Sequence, residues 1–150
     1  MKSRYKSGLW RSLNPTKYNI ERWSYTLHRI TGVILVLYLI PHVFEIYHIT
    51  LGIQGWNATM SELSSLGILE KIGLWIVAGS VLYHGANGLR LILSEAFEAF
   101  LGKPDLPKYP YKPQSLGRSQ KIVIYTIITI VMALWIWAGL YLLADLGIIG

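Results

Sequence analysis

The chain has 150 residues, 53% of them apolar and 15% charged, with a mean hydropathy of +0.40. One soluble core of this size cannot hide that much apolar surface, so the bilayer is its natural solvent. The absence of cysteine excludes disulfides, thiolate metal sites, cysteine-attached haem and thiol catalysis, and leaves any metal to the four histidines or to carboxylates.

In chain order, residues 1–23 form a basic lead, and residues 24–146 read as one transmembrane domain. Its three apolar stretches predict helices over about residues 26–49, 69–97 and 119–146, each long enough to cross a hydrocarbon core. The fold class is therefore all-α: a three-helix membrane protein. The basic lead and the first apolar stretch are both too long for a cleavable signal peptide. Pro41 predicts a kink in the first helix, because it removes a donor and frees the carbonyl of Leu37. Beyond that helix, Ser61 before Glu62 suggests a short interfacial helix. In the second connection, residues 102–118, Pro104, Pro107, Pro110 and Pro113 recur every third residue, which predicts an extended spacer.

The formal charge of +6 is distributed as topology rather than as a nucleic-acid footprint. Lys2, Arg4, Lys6, Arg11, Lys17, Arg22 and Arg29 lie at or before the mouth of the first helix. The connection between helices one and two has only Lys71, at its end. The next connection carries Lys103, Lys108, Lys112, Arg118 and Lys121. The positive-inside rule puts the N-terminus and the second connection in the cytoplasm and the C-terminus outside.

Ionisable groups inside a bilayer are costly and usually have a partner or a task. His84 shares a helical stripe with Ser80, Gly88, Leu91 and Glu95, bordered by Gly85 and Asn87. Glycines there admit a neighbouring helix or a flat cofactor, and Arg90 six residues on could meet a propionate, so His84 suits an axial haem ligand. The plainer reading is a hydrogen bond to a neighbouring helix. His42, after Pro41, has the same two readings. With Arg29 and Arg90 taken to mark one interface, His42 lies about 20 Å above it and His84 about 9 Å. On that spacing the two histidines cannot share one iron, and each ligand needs a partner from another chain. His48 reads as a wetted interfacial residue.

Leu27-His28-Arg29-Ile30-Thr31-Gly32 resembles the His-Arg-x-Ser/Thr-Gly signature of the C-type cytochrome b membrane anchor of succinate dehydrogenase (succinate:quinone oxidoreductase, complex II). His84-Gly85-Ala86-Asn87-Gly88-Leu89-Arg90 resembles the second signature of that family, His-x-x-x-Gly-hydrophobic-Arg. The resemblance implies half of a heterodimeric helical anchor bundle in a prokaryotic inner membrane. It implies His84 as axial ligand to haem b, with the other ligand from a sister anchor subunit, and His42 as ligand to a second, outer haem in a two-haem variant. Ser24, Tyr25, His28, Arg29, Thr31 and Arg90 take the haem-propionate and quinone side, the quinone being ubiquinone or menaquinone. The implied partners are the iron–sulfur and flavoprotein subunits. The family's serine three residues before its His-Arg is Tyr25 in this chain, and Leu91 and Glu95 replace a later histidine and aspartate. Competing readings are a haem-free membrane scaffold and a small proton-transport subunit using His42, Glu45 and His84.

Overall fold

The computed structural model describes residues 19–96 and 116–146. Most of the basic lead and most of the proline-rich connection lie outside the described residues. The order is α1 (Ile20–Tyr47), a 3-10 turn (His48–Leu51), α2 (Gly52–Ser65), α3 (Ile68–Ala96) and α4 (Arg118–Asp145). Among the described residues, three helical runs are long and apolar enough to cross a membrane.

Two boundaries differ from the sequence expectation. α1 starts at Ile20, well before residue 26, with extended Asn19 ahead of it and Glu21 in its first turn, where a carboxylate favours the helix dipole. It then runs through Pro41 to Tyr47 without ending. The expected interfacial helix near Ser61 is a fuller element, α2, of 14 residues. Gly52 and Gly67, with φ of 78° and 56°, take the left-handed conformation at its two ends, where a side chain would be strained.

α3 is the central element, antiparallel to both α1 and α4. The bundle is inverted relative to a soluble one. Its buried residues include Ser24, Ser80, Asn87, Arg90 and Gln120 beside Tyr83, Ile124 and Val131, while Val33, Leu37, Phe44 and Trp137 are each at least 60% exposed. Lipid competes with any apolar contact between helices, so association must come from close packing and hydrogen bonds.

The α3–α4 contact shows both. Trp75 and Trp135 stack with centroids 4.3 Å apart and planes 13° from parallel. Each indole N–H donates to the other's backbone carbonyl, Trp75 Nε1 to Trp135 O at 2.9 Å and Trp135 Nε1 to Trp75 O at 2.8 Å. Gly79 faces Trp135 and Gly139 faces Trp75 so closely that a Cβ would lie 2.6 and 2.9 Å from an indole nitrogen. Two Trp-x-x-x-Gly segments thus clasp reciprocally, and both of their indole N–H groups are paired. At the start of α1, Glu21 Oε1 accepts from the backbone N–H of Leu116 at 2.8 Å and pairs with Lys121 at 3.3 Å. Lys71 and Asp145 pair at the far end.

Candidate functional site

The same reciprocal arrangement recurs between α1 and α3, with histidines in place of tryptophans. His28 and His84 stack ring on ring, centroids 4.0 Å apart and 8° from parallel. A Cβ on Gly32 would meet the His84 ring at 3.0 Å, and one on Gly88 would meet the His28 ring at 3.5 Å. Each His-x-x-x-Gly segment lays its imidazole against the other's glycine.

His84 Nδ1 lies 3.1 Å from the carbonyl oxygen of His28 and 3.4 Å from Thr31 Oγ1. The carbonyl can only accept, so Nδ1 carries the proton and the Nε2 lone pair is left for another partner. Thr31 donates to the carbonyls of Leu27 and His28, at 2.8 and 3.1 Å, so its oxygen is oriented to accept from His84 as well. His28 Nδ1 is buried with no hydrogen-bond partner.

One turn toward the start of α1 lies a second buried network. Asn87 Oδ1 accepts from Ser24 Oγ at 2.9 Å and from Arg90 Nε at 3.0 Å. Tyr83 donates its hydroxyl to the Ser24 backbone carbonyl at 3.1 Å and lies 3.1 Å from Ser24 Oγ. Ser24 and Asn87 are each 1% exposed. Low dielectric strengthens such bonds and raises the cost of leaving one unmade.

The structure therefore divides the residues singled out from the sequence. Ser24, His28, Thr31, His84 and Arg90 come together between α1 and α3. Tyr25 and Arg29 face the other way: Tyr25 is 61% exposed, and the Arg29 guanidinium lies 5.5 Å over its ring and 3.4 Å from its hydroxyl. His42 stands apart, its Nδ1 3.1 Å from the Tyr38 hydroxyl and 3.2 Å from Glu45 Oε2. His48 Nδ1 contacts the carbonyl of Phe44 at 2.8 Å.

The helix register also corrects a premise. Arg29 and Arg90 do not mark one level, because His28, beside Arg29, is level with His84. Arg90 sits six residues, about 9 Å, further toward the start of α1. The depth between His42 and His84 becomes about 21 Å, the fourteen residues from His28 to His42, rather than about 10 Å. The buried stripe of α3 is Ser80, Tyr83, Asn87 and Arg90, one position round from the expected stripe through His84 and Gly88. Tyr83 and the tryptophan pair were missed, since an aromatic in an apolar run looks like lipid-facing surface. The signal that could have found the register is the repeated spacing of four from aromatic ring to glycine.

These residues fit a haem as a half-site. His84 offers an oriented ligand nitrogen, with its other ring nitrogen held by a carbonyl as metal-bound histidines require. His28 cannot oppose it, because two ligands of one iron point at each other along one axis, whereas these rings lie face to face. His42 is too far. Among the described residues no group of three or more His, Asp or Glu gathers that could cage a bare ion. An apolar cavity of about 280 Å³ borders the crossing through Leu27, Thr31 and Tyr83, but no histidine lines it.

A family model described as the succinate dehydrogenase/fumarate reductase transmembrane subunit matches residues 3–109, which include both histidine segments. A succinate dehydrogenase hydrophobic membrane anchor subunit from Halobacterium salinarum is 34% identical over 77 residues, 51% of this chain and 58% of that protein. The succinate dehydrogenase 2 membrane subunit SdhC of Mycobacterium tuberculosis is 30% identical over 73 residues, 47% of this chain and 51% of that protein. The chain thus spans about half the length of these curated relatives. No solved structure matches.

Proposed function

The chain belongs to the succinate dehydrogenase/fumarate reductase transmembrane subunit family, and we propose that it is the haem b-bearing, C-type membrane anchor of that complex. In this reading it holds the flavoprotein and iron–sulfur subunits at the cytoplasmic face of a prokaryotic inner membrane and helps pass electrons from succinate to ubiquinone or menaquinone. The reverse reaction, fumarate reduction, uses the same parts.

The observation that carries the proposal is His84 Nδ1 held by the His28 carbonyl at 3.1 Å, which leaves Nε2 as the ligand nitrogen. A haem b bound there supplies one-electron storage and transfer at its iron. The chain's own part is to orient the ligand through His28 and Thr31, with Gly32 and Gly88 leaving room for the two imidazole rings. A sister anchor subunit would supply the other ligand. Arg90, buried beside Asn87, holds positive charge near the site for a propionate. Arg29 and Tyr25, on the exposed face of α1, are the donors for quinone carbonyls. Ser24 is committed to Asn87 and acts in positioning. His42, oriented by Glu45 as metal-bound histidines often are by carboxylates, is the ligand for an outer haem.

The stacked His28–His84 rings favour a second reading, a haem-free scaffold in which each imidazole fills the other's space. A reduced-minus-oxidised spectrum of the purified complex, with haem quantified per flavin, separates the two. A haem b signal supports the cytochrome, and two haems per flavin support the outer site. A complex with flavin and no Soret band would establish the scaffold.

A further inference from the structure

α1 carries one continuous stripe of mostly polar residues. Ser24, His28, Thr31, Leu35, Tyr38, His42 and Glu45 recur at spacings of three and four and fall on one helix face. The first half of that stripe is closed by α3, through Ser24 on Asn87 and His28 on His84.

The second half remains open. The His42 and Glu45 side chains keep 37% and 24% of their exposure. Among the described residues, the polar contacts of Tyr38, His42 and Glu45 are to one another along α1. All three lie in a run apolar enough to cross a membrane. The opposite face, through Val33, Val36, Ile40 and Phe44, is 58–65% exposed and carries no polar atom for lipid to strand. Hydrocarbon suits that face and does not suit a carboxylate beside an imidazole. A carboxylate only accepts, and one histidine nitrogen cannot fill its lone pairs, so what covers Glu45 has to donate.

We propose that the Tyr38–His42–Glu45 face of α1 seats a transmembrane helix of a partner chain, and that this helix presents a hydrogen-bond donor or cationic side chain to Glu45. The proposal rests on the reading of the chain as one subunit of a membrane complex, and it adds which face meets the partner and what chemistry the partner brings.

The chain contains no cysteine, so an introduced one is unique within it. Leu39→Cys and Ile46→Cys flank the polar stripe, and Ile40→Cys lies on the opposite face. Each variant is coupled to a photoreactive cross-linker in native membranes, and the complex is purified through a tag on this chain. The first two variants are expected to give adducts with one partner segment, mapped by mass spectrometry to a transmembrane helix bearing a basic or hydroxyl side chain at the cross-linked level. Ile40→Cys is expected to give lipid adducts alone. Lipid adducts alone at Leu39 and Ile46, in a complex that still carries its flavoprotein and iron–sulfur subunits, overturn the interface and leave the subunit reading standing. A mapped segment without a donor overturns the proposed chemistry. A chain that co-purifies with none of these subunits sinks both readings.

Discussion

The carbonyl oxygen of His28 on α1 accepts a hydrogen bond from His84 Nδ1 on α3 at 3.1 Å, while the two rings lie parallel 4.0 Å apart. One backbone group of α1 thus sets the tautomer of His84. The arrangement depends on Gly32, which leaves room for the His84 ring, while Gly88 lies beside the His28 ring with ordinary clearance.

Unequal clearance at those glycines predicts unequal effects. Gly32→Ala puts a methyl 3.0 Å from the His84 ring, which must move, whereas Gly88→Ala meets His28 at an ordinary 3.5 Å. Haem per flavin in the purified complex is expected to fall for the first variant and to stay near the parent value for the second.

Asn87 is the acceptor on which two elements converge. Asn87→Ala strips the partner from buried Ser24 and from Arg90, at a cost of about 1–3 kcal/mol for each unsatisfied group. The thermal midpoint of the detergent-solubilised protein is expected to drop clearly. Asn87→Asp, which keeps the acceptor and adds charge beside Arg90, is expected to recover most of it.

The tryptophan clasp makes a contrast among glycines of the same helix. Gly79→Ala would press a methyl within 2.6 Å of Trp135 Nε1, an overpacking cost of about 1–3 kcal/mol. Gly73 and Gly85 have open space around them. Alanine there is expected to be neutral or to stabilise by about 0.5–1 kcal/mol through helix propensity. Melting curves of the three variants read both signs.

The Lys71–Asp145 pair is exposed at one end of the bundle. Lys71→Ala is expected to cost less than about 1 kcal/mol, with the difference fading at high salt. Thermal midpoints at low and high ionic strength test this.

Much of this architecture was legible before the structure. Three apolar runs separated by basic and turn-rich segments dictate three spans, and polar residues stranded in two of them single out His28, His84 and His42 as candidates. The register between spans was not legible, because no single residue encodes it. It arises where Gly32 admits His84 and Gly88 admits His28, a pairwise fit that periodicity within one helix does not contain. Reading Arg29 and Arg90 as level followed a plausible charge rule, and the histidine crossing overrides it. The Ser24–Asn87 bond, 63 residues apart in sequence, is invisible for the same reason. Tyr25 illustrates a local limit: its neighbour Ser24 turns inward to the bundle, and Tyr25 turns outward to share its face with Arg29.

The most direct test of the central claim is the reduced-minus-oxidised spectrum, with a pyridine haemochrome assay, of the purified complex carrying His84→Leu. Loss of the haem next to His28, with flavin and the other subunits retained, is the predicted result. A haem b spectrum and a haem-to-flavin ratio unchanged from the parent would contradict it.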